Sequence, residues 1–189
     1  MEEIEEIRGL TRQEALKFYD GVLEGGDKEA VRWLGRNDRF FLLGCLMGRK
    51  DVLERDWCYE RCREVEREPE GWLDLWSRFH YKSTIITLGG AVQEILRDPE
   101  TTIGILSYNK AHAHKYVDQI RRALESETLR RLYPDILHER PPKQNWSSQN
   151  GLIVKRQANP KEPTVQGSGL VDGQPIGAHY RLRIYDDVV

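Results

Sequence analysis

Lys82, Ser83 and Thr84 stand between a short apolar segment and an amphipathic one in LDLWSRFHYKSTIITLGGAVQEIL, residues 73–96. An ammonium beside a hydroxyl at a strand-to-helix turn is the chemistry of a polyphosphate cradle. The amine lies between the β and γ phosphates, the hydroxyl ligates Mg2+, and the helix N-terminus supplies amides and a positive dipole end. The usual pattern, G-x-x-x-x-G-K-S/T, asks for glycine where this chain has Trp76 and Tyr81. Glycine is favoured there because the loop needs unusual φ values and close backbone approach to phosphate. Tyr81 can serve if its φ is negative and its ring turns outward. The same three residues also suit the N-terminal turn of an ordinary core helix.

A second acidic signal lies about a hundred residues downstream, where LRIYDD is an apolar strand ending in Asp186 and Asp187. In a phosphate-loop NTPase the first such acid holds Mg2+ through water, and the second polarises the attacking water as general base. A strand ending in two acids can equally be a solvated turn. In this order, at the ends of two buried strands, the two signals support each other and point to an ATPase. Ser77, Arg78, Phe79, His80, Tyr81, Lys82, Ser83 and Thr84 form the expected nucleotide-binding stretch, with Ser83 and Asp186 as the metal-binding pair.

The elements that must position these residues are legible in outline. Residues 1–70 read as helical: TRQEALKFYDGVLEGG opens on a threonine cap and closes on Gly25-Gly26, DKEAVRWLGR and DRFFLLGCLMGR follow, and DVLERDWCYERCREVEREPEG runs to a stop at Pro69 and Gly71. From residue 72 the rhythm becomes strand, helix, strand, helix, strand. WLDLWS, TTIGILSY, GLIVKR and RLRIYDDVV read as strands. A helix runs to about Arg97, and KAHAHKYVDQIRRALES forms another that ETLRRLYPDIL extends. VQGSGLVDGQPIGAHY reads as a glycine-bearing connection. That alternation predicts an α/β fold with a parallel sheet flanked by helices, and a division into a helical segment, 1–70, and a core, 71–189.

The 189 residues suffice for a real hydrophobic core, and 39% hydrophobic with 32% charged residues fits a soluble globular chain. The acidic start MEEIEEIRGL has the wrong sign for a secretory or mitochondrial signal, which predicts action in a cytoplasm. Cys45, Cys58 and Cys62 are odd in number and lack metal spacing, so they read as buried free thiols. Residues 1–70 carry 18 acids against 13 bases, and residues 71–189 carry 13 acids against 16 bases, a mild basic excess only weakly suggestive of a polyanion partner.

The remaining candidates have a bland reading beside the functional one. His80 could touch phosphate or a neighbouring subunit, or simply pack on the helix. His112 and His114 differ by two and face different sides, so they make no metal pair. Trp57, Tyr59 and Arg61 could stack on a base or pack in a core. Arg121-Arg122, Arg130-Arg131, Trp146 and Lys155-Arg156 could meet DNA phosphates or lie on solvated faces. No base-reading motif is visible.

The four stretches LDLWSRFHYKSTIITLGGAVQEIL, TIGILSYNKAHAHKYVDQIRRALE, LRRLYPDIL and NPKEPTVQGSGLVDGQPIGAHYRLRIYDDVV together resemble the ATPase domain of the terminase large subunit, the DNA-packaging motor of tailed bacteriophages. The resemblance covers about residues 30–189 and includes the loop, which in that family often reads Arg-x-x-x-Lys-Ser/Thr. It implies a P-loop NTPase fold of the RecA/ASCE type, with ATP and Mg2+ as ligands. Lys82 and Ser83 would hold phosphates and metal in the Walker A loop. Arg78 would respond to γ-phosphate charge, Asp186 would be the Walker B acid, and Asp187 would stand where many members have glutamate. Gly169, Gly173 and Gly177 resemble the segment leading into the Walker B strand. The implied partners are double-stranded DNA, the portal protein, the small terminase subunit and further copies in a ring, in the host cytoplasm and with no membrane.

The family continues past the Walker B strand into a coupling motif and a nuclease domain, so the chain is expected to be a fragment or the product of a split or interrupted gene. Two rivals stand beside this reading. A P-loop helicase-like ATPase should carry a Gly-Lys-Thr loop and an Asp-Glu pair, neither of which is present. A non-catalytic nucleotide-binding fragment would keep the fold without turnover.

Overall fold

The computed structural model describes residues 2–67, 76, 80–158, 160–173 and 177–188. The chain forms two compact units, Met1–Ile85 and Ile86–Val189, so their boundary in sequence falls inside a helix and downstream of residue 70.

The described part of the first unit is helical. Helix α1 is Glu2–Gly9, α2 Arg12–Gly25 and α3 Lys28–Asn37. Thr11 and Glu14 close a capping box at the start of α2, and Asp27 caps α3 through the amides of Glu29 and Ala30. Helix α4, Arg39–Phe41, runs on into a π-helical turn, Leu42–Leu46, that buries Leu42 and Leu43 beside Phe40 and Phe41. Full burial of each such side chain is worth about 1.5–3 kcal/mol.

The stretch read as one helix from Asp51 is broken into α5, Lys50–Leu53, and α6, Asp56–Arg67. Arg12 sits at the break: its guanidinium donates to the Leu53 carbonyl at 2.7 Å and to the Asp56 carboxylate at 2.5 Å, so a side chain from α2 meets the end of one helix and the start of the next. Under these helices lies a buried ionic network. Arg63 donates to Asp38 Oδ2 at 2.8 Å, Tyr19 Oη donates to the same oxygen at 2.5 Å, and Arg63 reaches Glu66 at 3.4 Å.

In the second unit, the helical run begun upstream continues as α7, Gly90–Arg97. Strand β1, Ile103–Ser107, is wholly buried and leads into α8, Lys110–Leu124. Ser126 then caps a separate short helix α9, Glu127–Leu132, so ETLRRLYPDIL does not extend α8. Strands β2, Trp146–Ser147, β3, Gly151–Leu152, β4, Val165–Gly169, and β5, Leu182–Tyr185, complete a sheet of order β2-β3-β4-β1-β5.

The sheet corrects the expectation of an all-parallel one. β4, β1 and β5 are parallel, but β2 and β3 pair antiparallel at one edge. GLIVKR is a strand only over its first two residues. Beyond them Val154 N donates to the Thr164 hydroxyl and Lys155 N to the Ile136 carbonyl, which draws the segment off the ladder. VQGSG, read as connection, is the strand β4. Its Gly167 lies under α8, where a Cβ would come within 3.0 Å of the Ala113 carbonyl carbon and of Val117 Cγ2. A bare backbone at this position lets helix and strand pack this closely. The predicted strand WLDLWS lies outside the described residues except for Trp76.

Candidate functional site

The parallel strands β4, β1 and β5 bring their carboxyl ends to one edge of the sheet, the place where open α/β sheets bind ligands. There the ladder extends past the strands: Asp186 N donates to Leu106 O at 2.8 Å, Tyr108 N to Asp187 O at 3.0 Å and Leu170 N to Ser107 O at 2.9 Å. These bonds fix the backbone of both acids.

Asp186 is 3% exposed and its Oδ2 accepts a 2.5 Å hydrogen bond from Thr87 Oγ1, itself 1% exposed. Thr87 belongs to the same continuous helical run that starts at Lys82, passes through the π-helical stretch Ser83–Gly89 and ends at Arg97. π-helical turns inside α-helices recur at functional sites, because the wider turn re-aims side chains. Sequence reasoning missed Thr87. The available signal was its position four residues after Ser83, on one side of the helix.

Asp187 is exposed, and its backbone has φ 49°. Its carbonyl accepts from Tyr108 N and from Ser107 Oγ at 3.3 Å, and its carboxylate accepts from Tyr116 Oη at 3.0 Å. Gly169 ends β4 against the first turn of α8, where a Cβ would lie 2.5 Å from Lys110 N. That first turn is already filled: Asp172 Oδ1 accepts from Lys110 N at 2.8 Å and Asn109 Oδ1 from His112 N at 2.9 Å. Two amides of the first turn of α8, those of Lys110 and His112, are therefore committed to side chains.

Within the first unit, the Lys-Ser-Thr turn is described from His80 onward. Lys82, Ser83 and Thr84 are half-buried at the start of the helical run, and Ile85 N donates to Tyr81 O at 2.8 Å. Ser77, Arg78 and Phe79 lie outside the described residues. Tyr81 overturns the negative φ set as its condition: its φ is 59°, the left-handed conformation for which glycine is used at this place in the motif. Among the described residues other than glycine, Tyr81 and Asp187 have positive φ. Backbone conformations of this kind cost free energy and cluster at ligand sites.

The surroundings hold Tyr81 there. Its ring stands 6.4 Å from that of Trp57, which also meets His80 at 5.2 Å and Trp76 at 5.5 Å. Arg55 lies over the Tyr81 ring at 5.4 Å and Arg61 over Trp76 at 4.7 Å. Arg49, hydrogen-bonded at 3.2 Å, holds the Asp51 carboxyl below the usual carboxylate range, and the Tyr81 hydroxyl adds to this. Trp57 is thus occupied with the turn. Tyr59 is buried, set edge-on to Phe40 and donating to the Leu10 carbonyl at 2.8 Å, which removes it as a base-stacking candidate.

The other candidates resolve toward structure. Arg121 pairs with Asp118 and Glu125, Arg131 pairs with Glu127, and Arg122 donates to the Asp118 carbonyl. Trp146 is buried with its indole N–H on Glu125, while Lys155 and Arg156 donate to backbone carbonyls. Cys58 and Cys62 are buried free thiols and Cys45 is partly covered. Burial pushes the Cys45 thiol up to about 12 and Cys58 up to about 11, and holds Cys62 well above the ordinary thiol value. Burial also lowers His114, while His112 stands exposed. No group of three or more His, Cys, Asp or Glu suited to a metal occurs among the described residues. No described helix is long and apolar enough to cross a membrane.

Comparison with protein-family models, curated proteins and solved structures gives no match to this chain. A buried carboxylate beside a buried hydroxyl, with a second carboxylate next in sequence, is a set of hard oxygen donors suited to Mg2+, a cation that needs few protein ligands when it arrives with phosphate.

Proposed function

We propose that the chain is the P-loop ATPase part of a phage terminase large subunit, in which Mg2+-dependent ATP hydrolysis drives double-stranded DNA into a procapsid. The observation that carries this reading is the 2.5 Å bond between Thr87 and Asp186. It ties the helical run that follows the Lys-Ser-Thr turn to the strand that ends in the two acids. Tyr81 does not meet the negative φ asked of it; the chain takes there the left-handed backbone that the motif ordinarily obtains from glycine.

In this reading Lys82 and Arg78 balance phosphate charge, and Ser77, Phe79, His80, Tyr81 and Thr84 complete the loop around the nucleotide. Ser83 and Asp186 would hold Mg2+, which when bound supplies charge neutralisation at the phosphate oxygens. Asp187 orients the attacking water and takes its proton. In the assembled motor the chain works as one subunit of a ring on the portal protein, with the small terminase subunit, and grips DNA through its backbone without reading sequence.

Lys82→Ala tests the assignment. Titration calorimetry with Mg·ATP is expected to show binding by the parent chain and none by the variant. Equal affinity in the two would remove the phosphate loop and the function built on it.

A further inference from the structure

Asp187 is held at more points than a solvated turn residue needs. Its φ of 49° places it in the left-handed region, where aspartate is tolerated but uncommon. Two donors from the end of β1, Tyr108 N and Ser107 Oγ, fix its carbonyl. A third donor, Tyr116 Oη on α8, reaches its carboxylate at 3.0 Å across 71 residues of sequence. The backbone bonds set where the Cα–Cβ bond points, and the phenol sets the rotamer. An exposed aspartate otherwise samples several staggered wells, and only one of them presents a given oxygen to a given water.

We infer that Tyr116 is a positioning residue for Asp187, holding the carboxylate in the single orientation from which it takes a proton from the attacking water. The inference rests on the proposed ATPase function and deepens it. Tyr116 touches no reacting atom; its phenol donates to one carboxylate oxygen of Asp187. Aspartate is a methylene shorter than glutamate, so a fixed backbone and a fixed rotamer must supply the accuracy that a longer side chain would reach by flexing.

Tyr116→Phe keeps the ring and removes only the hydroxyl, so the fold is preserved. Two measurements test the inference. In the first, tyrosine carrying a carbon label beside the phenol oxygen is introduced, and the Tyr116 signal is followed by NMR in the parent chain and in Asp187→Asn. The signal is expected to move, and an unmoved signal would mean the contact does not exist in solution.

The second is steady-state hydrolysis of Mg·ATP by the parent, Tyr116→Phe, Asp187→Asn and the double variant. Tyr116→Phe is expected to lower kcat about tenfold, the worth of one hydrogen bond to a charged group, with KM unchanged. In the Asp187→Asn background it should change nothing further, because the two residues act as one unit. Turnover lost in Asp187→Asn but intact in Tyr116→Phe overturns the role of Tyr116 and leaves the ATPase standing. A parent chain without turnover, or an Asp187→Asn variant with full turnover, overturns the ATPase reading and this inference with it.

Discussion

The bond between Thr87 and Asp186 can be tested by exchanging shape against hydrogen bonding. Thr87→Val keeps the volume and branching of the side chain and deletes the hydroxyl, while Thr87→Ser keeps the hydroxyl and deletes a methyl. Both ends of the bond are buried, at 1% and 3% exposure, so water cannot replace the lost donor without opening the core. A hydrogen bond to a charged group contributes about 1.5–3 kcal/mol, and its loss here belongs at the upper end because the carboxylate stays desolvated. The methyl removed in Thr87→Ser is worth about 1 kcal/mol.

Valine is therefore expected to be the more damaging of the two, although it is the better mimic of shape. For a unit the size of Ile86–Val189, each kcal/mol moves the melting midpoint by roughly 4–8 °C, so Thr87→Val should melt about 10 °C or more below the parent. Far-UV circular dichroism gives the midpoint. Amide hydrogen exchange localises the effect to β5, whose Asp186 amide is bonded to Leu106. On the proposed function, affinity for Mg·ATP should fall in Thr87→Val and hold in Thr87→Ser. If serine proves more damaging than valine, packing and not the hydroxyl governs this position, and the argument for the link between helix and acid fails.

Further tests probe both units. Arg63→Ala leaves Asp38 buried at 0% exposure without this cationic partner, and the first unit should lose about 3–5 kcal/mol, read from urea unfolding. A loss below 1 kcal/mol would show that the network is not needed for stability. Cys58 and Cys62 keep their protons in the folded chain to a higher pH than in the unfolded chain, so the folded state binds more protons once pH passes the ordinary thiol value. Stability should then fall as pH rises above about 8.5, by about 1.4 kcal/mol per pH unit for each buried thiol. Cys58→Ala/Cys62→Ala should remove that part of the slope, and an unchanged slope would assign it to other groups. In native protein at pH 8, a thiol reagent should leave Cys62 unmodified and label it only after unfolding; prompt labelling in native protein would contradict its burial.

The elements legible in the sequence are those whose local chemistry and tertiary role agree. Thr11 with Glu14 and Asp27 announce helix starts that the folded chain uses, and the uncharged TTIGILSY becomes a strand buried on both faces. LRIYDD likewise places two acids at a strand end whatever the rest of the chain does. Backbone capping and apolar periodicity act over a few residues, so a local window contains all the information they need.

Other features have no local signal. VQGSG carries three small or glycine residues and low strand propensity; it becomes β4 because β1 offers a free edge and α8 requires a bare backbone at Gly167. DVLERDWCYER has an uninterrupted helical pattern, yet the chain breaks it where Arg12, forty-one residues upstream of Leu53, bonds the Leu53 carbonyl. Tyr81 has no intrinsic reason to take a positive φ, and the rings and charges around it hold it there. The partners of the two acids, Thr87 and Tyr116, lie 99 and 71 residues away from them. The sequence by itself determined the capped starts of α2 and α3, the burial of β1 and that two carboxylates follow β5, because these depend on short-range propensity and hydrophobicity. Only the tertiary structure decided which hydroxyls meet those carboxylates and where the backbone takes a left-handed turn, because those depend on which distant surfaces are brought together when the sheet pairs.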